Sequence, residues 1–204
     1  QKNDIIRPLF GWKKADGRRK YRTCYVEIPR KNGKSNLSAA IALYMLFADG
    51  EPGAEVISAA GDRNQANIVF SIAKEMIHNN KHLSQRAKVL RNSINYKSSF
   101  YKSISAEAST KHGFNCHAVI FDELHTQPNR DLWDVLVTST GARTQPLVIA
   151  LTTAGHDRNS ICFEIHEYAR QVEEGSILDE TFLPVLYAAD ESDDWAAEAT
   201  WQKA

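Results

Sequence analysis

Apolar runs of strand length alternate along this chain with longer segments of helical spacing, which predicts a parallel sheet covered by helices. Tyr21 to Ile28 reads as a first strand, and Lys34 to Asp49 as a helix closed by Gly50 and Pro52. Glu55 to Ala60 reads as a second strand. Asp62 then stands where a carboxylate caps a helix running to about His78, since it accepts free backbone N–H groups. From His82 to Lys111 serine and asparagine accumulate and the alternation weakens, which predicts short strands and loops. His117 to Phe121 is a compact apolar strand ending in Asp122. A helix over about Arg130 to Thr140 follows, then a strand over Pro146 to Thr152. A helix over Ser160 to Glu174 and a last strand over Thr181 to Tyr187 complete the pattern, with no internal repeat.

Composition narrows the class. A chain of 204 residues suits one domain of the larger kind, and 43% hydrophobic residues are enough for a sizeable core. Lysine plus arginine equals aspartate plus glutamate at 25 each, which argues against a wholly basic surface but not against a local patch. Arg7, Lys13, Lys14, Arg18, Arg19, Lys20 and Arg22 cluster near the start, and Asp190, Glu191, Asp193, Asp194 and Glu198 near the end. Both runs read first as solvated surface. Cys24, Cys116 and Cys162 are widely spaced with no CxxC, which fits buried thiols in a reducing compartment. No signal peptide opens the chain, and its longest apolar stretch, Ala39 to Ala48, falls short of the ~20 residues a bilayer requires. A cytoplasmic location is expected.

The first chemistry lies between the first strand and the following helix. A phosphate loop needs backbone N–H groups wrapped round an anion, a lysine reaching the terminal phosphates and a hydroxyl for Mg²⁺. Pro29-Arg30-Lys31-Asn32-Gly33-Lys34-Ser35 ends in Gly-Lys-Ser at a helix start, whose positive end adds attraction. Ile28 stands where the usual pattern has its first glycine, so the strand before and helix after carry the assignment. The plain alternative is a basic surface loop.

The strand His117 to Phe121 delivers Asp122 and Glu123 to the sheet edge at which ligands of parallel sheets bind. Two adjacent carboxylates there can divide the work. Asp122 is the candidate for the Mg²⁺ shell and Glu123 for orienting the attacking water. Thr152-Thr153-Ala154-Gly155 then closes a neighbouring strand with hydroxyls able to sense a γ-phosphate. These elements together predict an α/β P-loop NTPase, RecA/ASCE-like, with a mostly parallel central sheet and helices on both faces.

The ordered set Arg30-Lys31-Asn32-Gly33-Lys34-Ser35, Asp122-Glu123-Leu124-His125 and Thr152-Thr153-Ala154-Gly155 resembles the large terminase subunit of tailed double-stranded-DNA bacteriophages. Phe10-Gly11-Trp12-Lys13, Ala142 to Pro146 and the closing Trp201 to Ala204 add to the likeness, which covers essentially the whole chain. The resemblance implies an ATPase domain, residues 1–190, that powers double-stranded DNA into a procapsid in the cytoplasm of an infected bacterium. Residues 191–204 are expected to start a linker toward a nuclease domain. The family tolerates a non-glycine at the first P-loop position and carries a basic residue within the loop, which gives Arg30 a role. Gln1 corresponds to its adenine-reading glutamine. ATP, Mg²⁺, a portal protein, a small terminase subunit and a homo-oligomeric ring are implied, with a monomer expected in isolation.

In such a ring the neighbouring subunit often supplies a cation to the γ-phosphate. Arg143, just before the strand leading to Thr152, is the first candidate, with Lys111 and Arg158 as alternatives. His117 and His125 flank the acidic pair without a third ligand at metal-site spacing. Two rival readings stand beside this one. The first lobe of a DExH helicase would share Asp122-Glu123-Leu124-His125, and a nucleotide-binding scaffold would keep the loop without turnover.

Overall fold

The computed structural model describes residues 1–106, 113–189, 193–194 and 196–203, the last three by backbone alone. Lys111, Asp190, Glu191 and Trp195 lie outside them. Eight strands form one sheet: β1 (Thr23–Glu27), β2 (Glu55–Ala60), β3 (Lys88–Val89), β4 (Ile94–Tyr96), β5 (Ser99–Ser105), β6 (Cys116–Asp122), β7 (Leu147–Thr152) and β8 (Phe182–Leu186). Their order is β3-β4-β5-β2-β6-β7-β1-β8. All pairings are parallel except β3 with β4 and β4 with β5. The strand bearing Thr152 therefore separates the P-loop strand β1 from the acid-bearing β6, so all three motifs meet at one sheet edge.

Helices α2 (Lys34–Phe47) and α3 (Arg63–His78) cover one face; α5 (Asp131–Thr138) and α6 (Ile161–Glu173) cover the other. Short α1 (Arg7–Gly11), α4 (Lys81–Ser84) and α7 (Glu198–Lys203) complete the set. Strand parity sorts the core. Cys24, Val26, Ala118, Ile120, Ile149 and Leu151 pack toward α2, while Tyr25, Val119, Phe121, Val148 and Ala150 pack toward α6. Each buried aliphatic side chain contributes ~1.5–3 kcal/mol, more than the roughly 1 kcal/mol of a helix cap, so this sandwich dominates the architecture. The caps still mark the boundaries. Asp62 accepts from the N–H of Asn64 and Gln65, and Ser160 from that of Phe163.

Two elements go beyond what the sequence pattern specified. Lys2–Ile6, for which the sequence carried no assignment, winds as a π-helix into α1. Proline is tolerated in a first helical turn, and Ile5 and Leu9 are wholly buried, which anchors the segment. Within the stretch read as short strands and loops, Ser99–Ser105 is a full seven-residue strand. Its serine-rich, lysine-bearing sequence has weak strand propensity, which parallel pairing along all of β2 overrides.

Candidate active site

The chain leaves β1 through Ile28, whose N–H bonds Thr152 O at 3.0 Å, and turns back through two left-handed residues, Lys31 (φ 68°) and Gly33 (φ 75°). Gly33 suits that conformation at no steric cost and starts α2 directly at Lys34. The Lys34 ammonium is buried inside the loop it closes. It donates to the carbonyls of Ile28 at 3.1 Å and Pro29 at 3.3 Å, and lies 3.6 Å from Glu123 Oε1. Asn32 braces the turn by donating to Pro29 O, and Gln1 Nε2 donates to Asn32 O at 2.6 Å. Gln1 thus sits against the P-loop despite its distance in sequence. Arg30 projects from the loop exposed.

Parity directs Asp122, last in β6, onto the α2 face. Ser35 Oγ donates to its Oδ2 and Ser38 Oγ to its Oδ1, both at 3.1 Å. Burial pushes the Asp122 carboxyl up from its ordinary value, with the two serine hydroxyls opposing and Glu123 adding to the rise. Ser38 was not anticipated. Its only sequence signal is a hydroxyl one turn beyond Ser35 on the same helix face. The Ser35 hydroxyl and Asp122 carboxylate are hard oxygen donors converging at the loop mouth. That donor set fits Mg²⁺, which takes one or two protein oxygens and fills its octahedron with water and phosphate.

Glu123 adopts φ 52°, a left-handed conformation costing a non-glycine residue about 1–3 kcal/mol. Its N–H is held by Leu151 O at 2.8 Å while the chain reverses into the turn Leu124–Thr126. The reversal aims the carboxylate at the centre of the site. Oε2 accepts from Thr153 N at 3.3 Å and lies 3.3 Å from His125 Nδ1. Thr152 Oγ1 is 3.1 Å from the same Nδ1, and a Cβ on Gly155 would press His125 Cβ at 3.2 Å. Burial lowers the His125 pKa, the Glu123 charge opposing. The Thr152-Thr153-Ala154-Gly155 segment therefore touches both Glu123 and its neighbour His125.

Arg143 is not at this edge. Its guanidinium donates to Asn115 O, Pro52 O, Gly53 O and Glu51 Oε1 at the opposite, N-terminal end of β2 and β6. A side chain engaged by three carbonyls and an ion pair clamps the strand entrances of its own chain, which argues against the expected finger role. His117 leaves the acidic pair likewise. It is wholly buried at the start of β6, 2.7 Å from Asp49, which also takes a bidentate bond from Arg19. Arg19 is thereby removed from the N-terminal surface cluster. Arg158 stands exposed just beyond Gly155, beside a cavity of about 270 Å³.

That cavity adjoins a second cluster absent from the sequence reading. Glu27 ends β1 on the α6 face, where Tyr25 OH and His166 Nδ1 each reach its Oε2 at 2.9 Å. The hydrogen bond to Glu27 raises the His166 pKa, burial opposing. Among the described residues no group of three or more His, Cys, Asp or Glu side chains gathers to hold a metal.

A family model described as "Terminase large subunit, ATPase domain" matches residues 2–171. The large terminase subunit of Enterobacteria phage HK97 is 33% identical over 138 residues, covering 63% of this chain and 27% of that protein. The crystal structure of the HK97 bacteriophage large terminase superposes with TM-score 0.84 at 25% identity, over 98% of this chain and 41% of that one. The large terminase of a thermophilic bacteriophage, solved in complex with ADP, shares the fold at TM-score 0.59 and 14% identity, over 87% of this chain and 43% of that one. The matched segment thus spans about a quarter of the HK97 subunit. With more than four-fifths of its length matched, the chain belongs to the ATPase-domain family of terminase large subunits.

Proposed function

We propose that this domain hydrolyses ATP to drive double-stranded DNA into a procapsid. The observation carrying the reading is the convergence of Lys34, Ser35, Asp122, Glu123 and Thr153 at one sheet edge. Three motifs far apart in sequence would not meet by chance with a cation, a hydroxyl–carboxylate pair and a second carboxylate in these relative positions. The thermophilic phage terminase solved with ADP supports a nucleotide here.

In this mechanism the N–H groups of Arg30 to Ser35 wrap the β-phosphate and Lys34 moves from the Ile28 and Pro29 carbonyls onto the β- and γ-phosphates. Ser35 and Asp122 would hold Mg²⁺, which would supply charge neutralisation for the phosphate oxygens. Glu123 aligns a water with the γ-phosphorus and accepts its proton as the new P–O bond forms and the bond to the ADP oxygen breaks. Loss of the γ-phosphate frees Lys34 and Glu123, and Thr153 passes the change to the segment ending in Gly155. Gln1, on the outer side of Asn32, meets the adenine.

The working state is a homo-oligomeric ring on a portal in the host cytoplasm, loaded through a small terminase subunit. The neighbour supplies a cation, for which Arg158 and Lys111 are the candidates. Mg²⁺-dependent ATP hydrolysis against protein concentration tests the reading. Turnover per subunit should rise with concentration, and Glu123→Gln should bind ATP while losing roughly 100-fold or more in turnover. Arg158→Ala and Lys111→Ala identify the supplier. Glu123→Gln with wild-type turnover overturns the assignment, and strand separation of duplex DNA favours the helicase reading.

A further inference from the structure

The chain is neutral overall, yet positions 63–102 carry eight lysines and arginines against a single carboxylate, Glu75. This segment folds as α3, α4 and the β3-β4-β5 edge of the sheet, so the charge is gathered in space as well as in sequence. Seven of the eight cations are exposed, Lys74 being half-buried, and among the described residues none forms a salt bridge. Elsewhere Arg19, Arg130, Arg143 and Arg170 hold carboxylates, while among the described residues the N-terminal Arg7, Lys13, Lys14, Lys20 and Arg22 form no salt bridge either, so it is the gathering of the eight around one recess that marks this face. Eight like charges concentrated this way repel one another, and a neutral chain gains no solubility from them.

Within the patch lies a cavity of about 410 Å³ between the start of α3, the β3–β4 turn and the end of β5. Arg63 and Asn67 line it from α3, Arg91 and Asn92 from the turn, and Ser103 and Ser105 from β5. No described carboxylate lines it. Asp62, beside Arg63, is occupied in capping α3. Two unpaired guanidiniums facing amide and hydroxyl donors form a recess for an anion with little sequence discrimination, as a phosphodiester backbone requires.

We propose that this face grips the phosphate backbone of double-stranded DNA, with Arg63 and Arg91 closing on phosphates at the recess. The proposal rests on the packaging reading for the identity of the polyanion. It also supplies a route from chemistry to grip. Gly61, two residues before Arg63, leaves no room for a Cβ against the Thr126 carbonyl, so the start of α3 packs directly on the turn that carries Glu123.

The experiment measures binding of the chain to a mixed-sequence duplex of about 30 base pairs by fluorescence anisotropy across a salt series, since each phosphate contact adds ~0.9 to the log–log slope. Arg63→Gln/Arg91→Gln should weaken binding roughly tenfold or more at low salt and flatten the slope by about 2, with ATP turnover unchanged. Lys13→Gln/Lys14→Gln, on the N-terminal cluster, should leave the slope intact. The proposal is overturned if the wild type does not bind duplex, if the Arg63/Arg91 variant binds as wild type, or if only the Lys13/Lys14 variant fails. Intact ATP hydrolysis alongside any of these leaves the ATPase reading standing. If binding depends on Arg63 and Arg91 while the wild type shows no hydrolysis, the grip stands and the motor reading fails.

Discussion

Ser38 donates its hydroxyl to Asp122 Oδ1 at 3.1 Å, one helical turn below the bond from Ser35 to Oδ2. The two serines give one hydrogen bond to each carboxylate oxygen of an acid that is 2% exposed, and so hold its rotamer while leaving lone pairs for a cation. Replacing Ser38 by alanine leaves Oδ1 without a donor inside the core. Ser38→Ala should lose about 1–3 kcal/mol in denaturant unfolding, the cost of an unsatisfied buried acceptor. It should also raise the Mg²⁺ concentration needed for half-maximal hydrolysis, as the freed carboxylate swings from its aim.

Asp122→Asn should separate function from stability. Because burial raises the Asp122 pKa in the folded state, stability falls as pH rises from the ordinary 3.8 through the raised value, and the full penalty of ionisation is present above it. Asparagine keeps the shape and carries no charge; its oxygen accepts from one serine, and its NH2 group donates to the other, whose hydroxyl turns to accept. Thermal melting at pH 7.5 should therefore give a higher Tm for the variant, while Mg²⁺-dependent turnover falls roughly 100-fold or more. A lower Tm would mean that the ionised carboxylate stabilises the fold after all.

Arg143→Ala tests the clamp at the far end of the sheet. Its loss strands three carbonyls and the half-buried Glu51, so the fold should lose about 3 kcal/mol, as when one partner of a buried pair is removed. Turnover per folded molecule, measured at saturating ATP below the variant's melting transition, should match wild type. Loss of turnover with unchanged stability would restore a catalytic part.

The Glu27–His166 pair gives stability a pH window. His166 is raised above its ordinary 6.5, so its contribution is complete below 6.5 and fades as pH rises through the raised value. For Glu27 burial pushes upward, but bonds from His166 and Tyr25 prevail and leave it below 4.5. That contribution is complete above 4.5 and is lost as pH falls through the lowered value. The Tm difference between wild type and His166→Gln should peak between pH 4.5 and 6.5 and shrink on the alkaline side. A difference independent of pH would make the contact steric and not ionic.

What could be read from the chain alone was whatever is local. Gly33-Lys34-Ser35 is contiguous, and its loop geometry follows from a left-handed glycine at a helix start. Asp62 and Ser160 cap the helices they precede, because a cap reaches only two or three residues along the chain. The strand ending in Asp122-Glu123 is legible because burial on both faces makes it uniformly apolar. The same uniformity hides which face each residue takes, so only the fold could send Asp122 to Ser38 and Glu27 to His166. Arg143 and His117 each stand near a motif in sequence, yet a strand separates its two ends by its full length, and both lie at the far edge. The basic face of α3 to β5 escaped notice for the opposite reason. Its charges are spread thinly over about forty positions, and only the packing of α3 against β5 brings Arg63 and Arg91 to one recess.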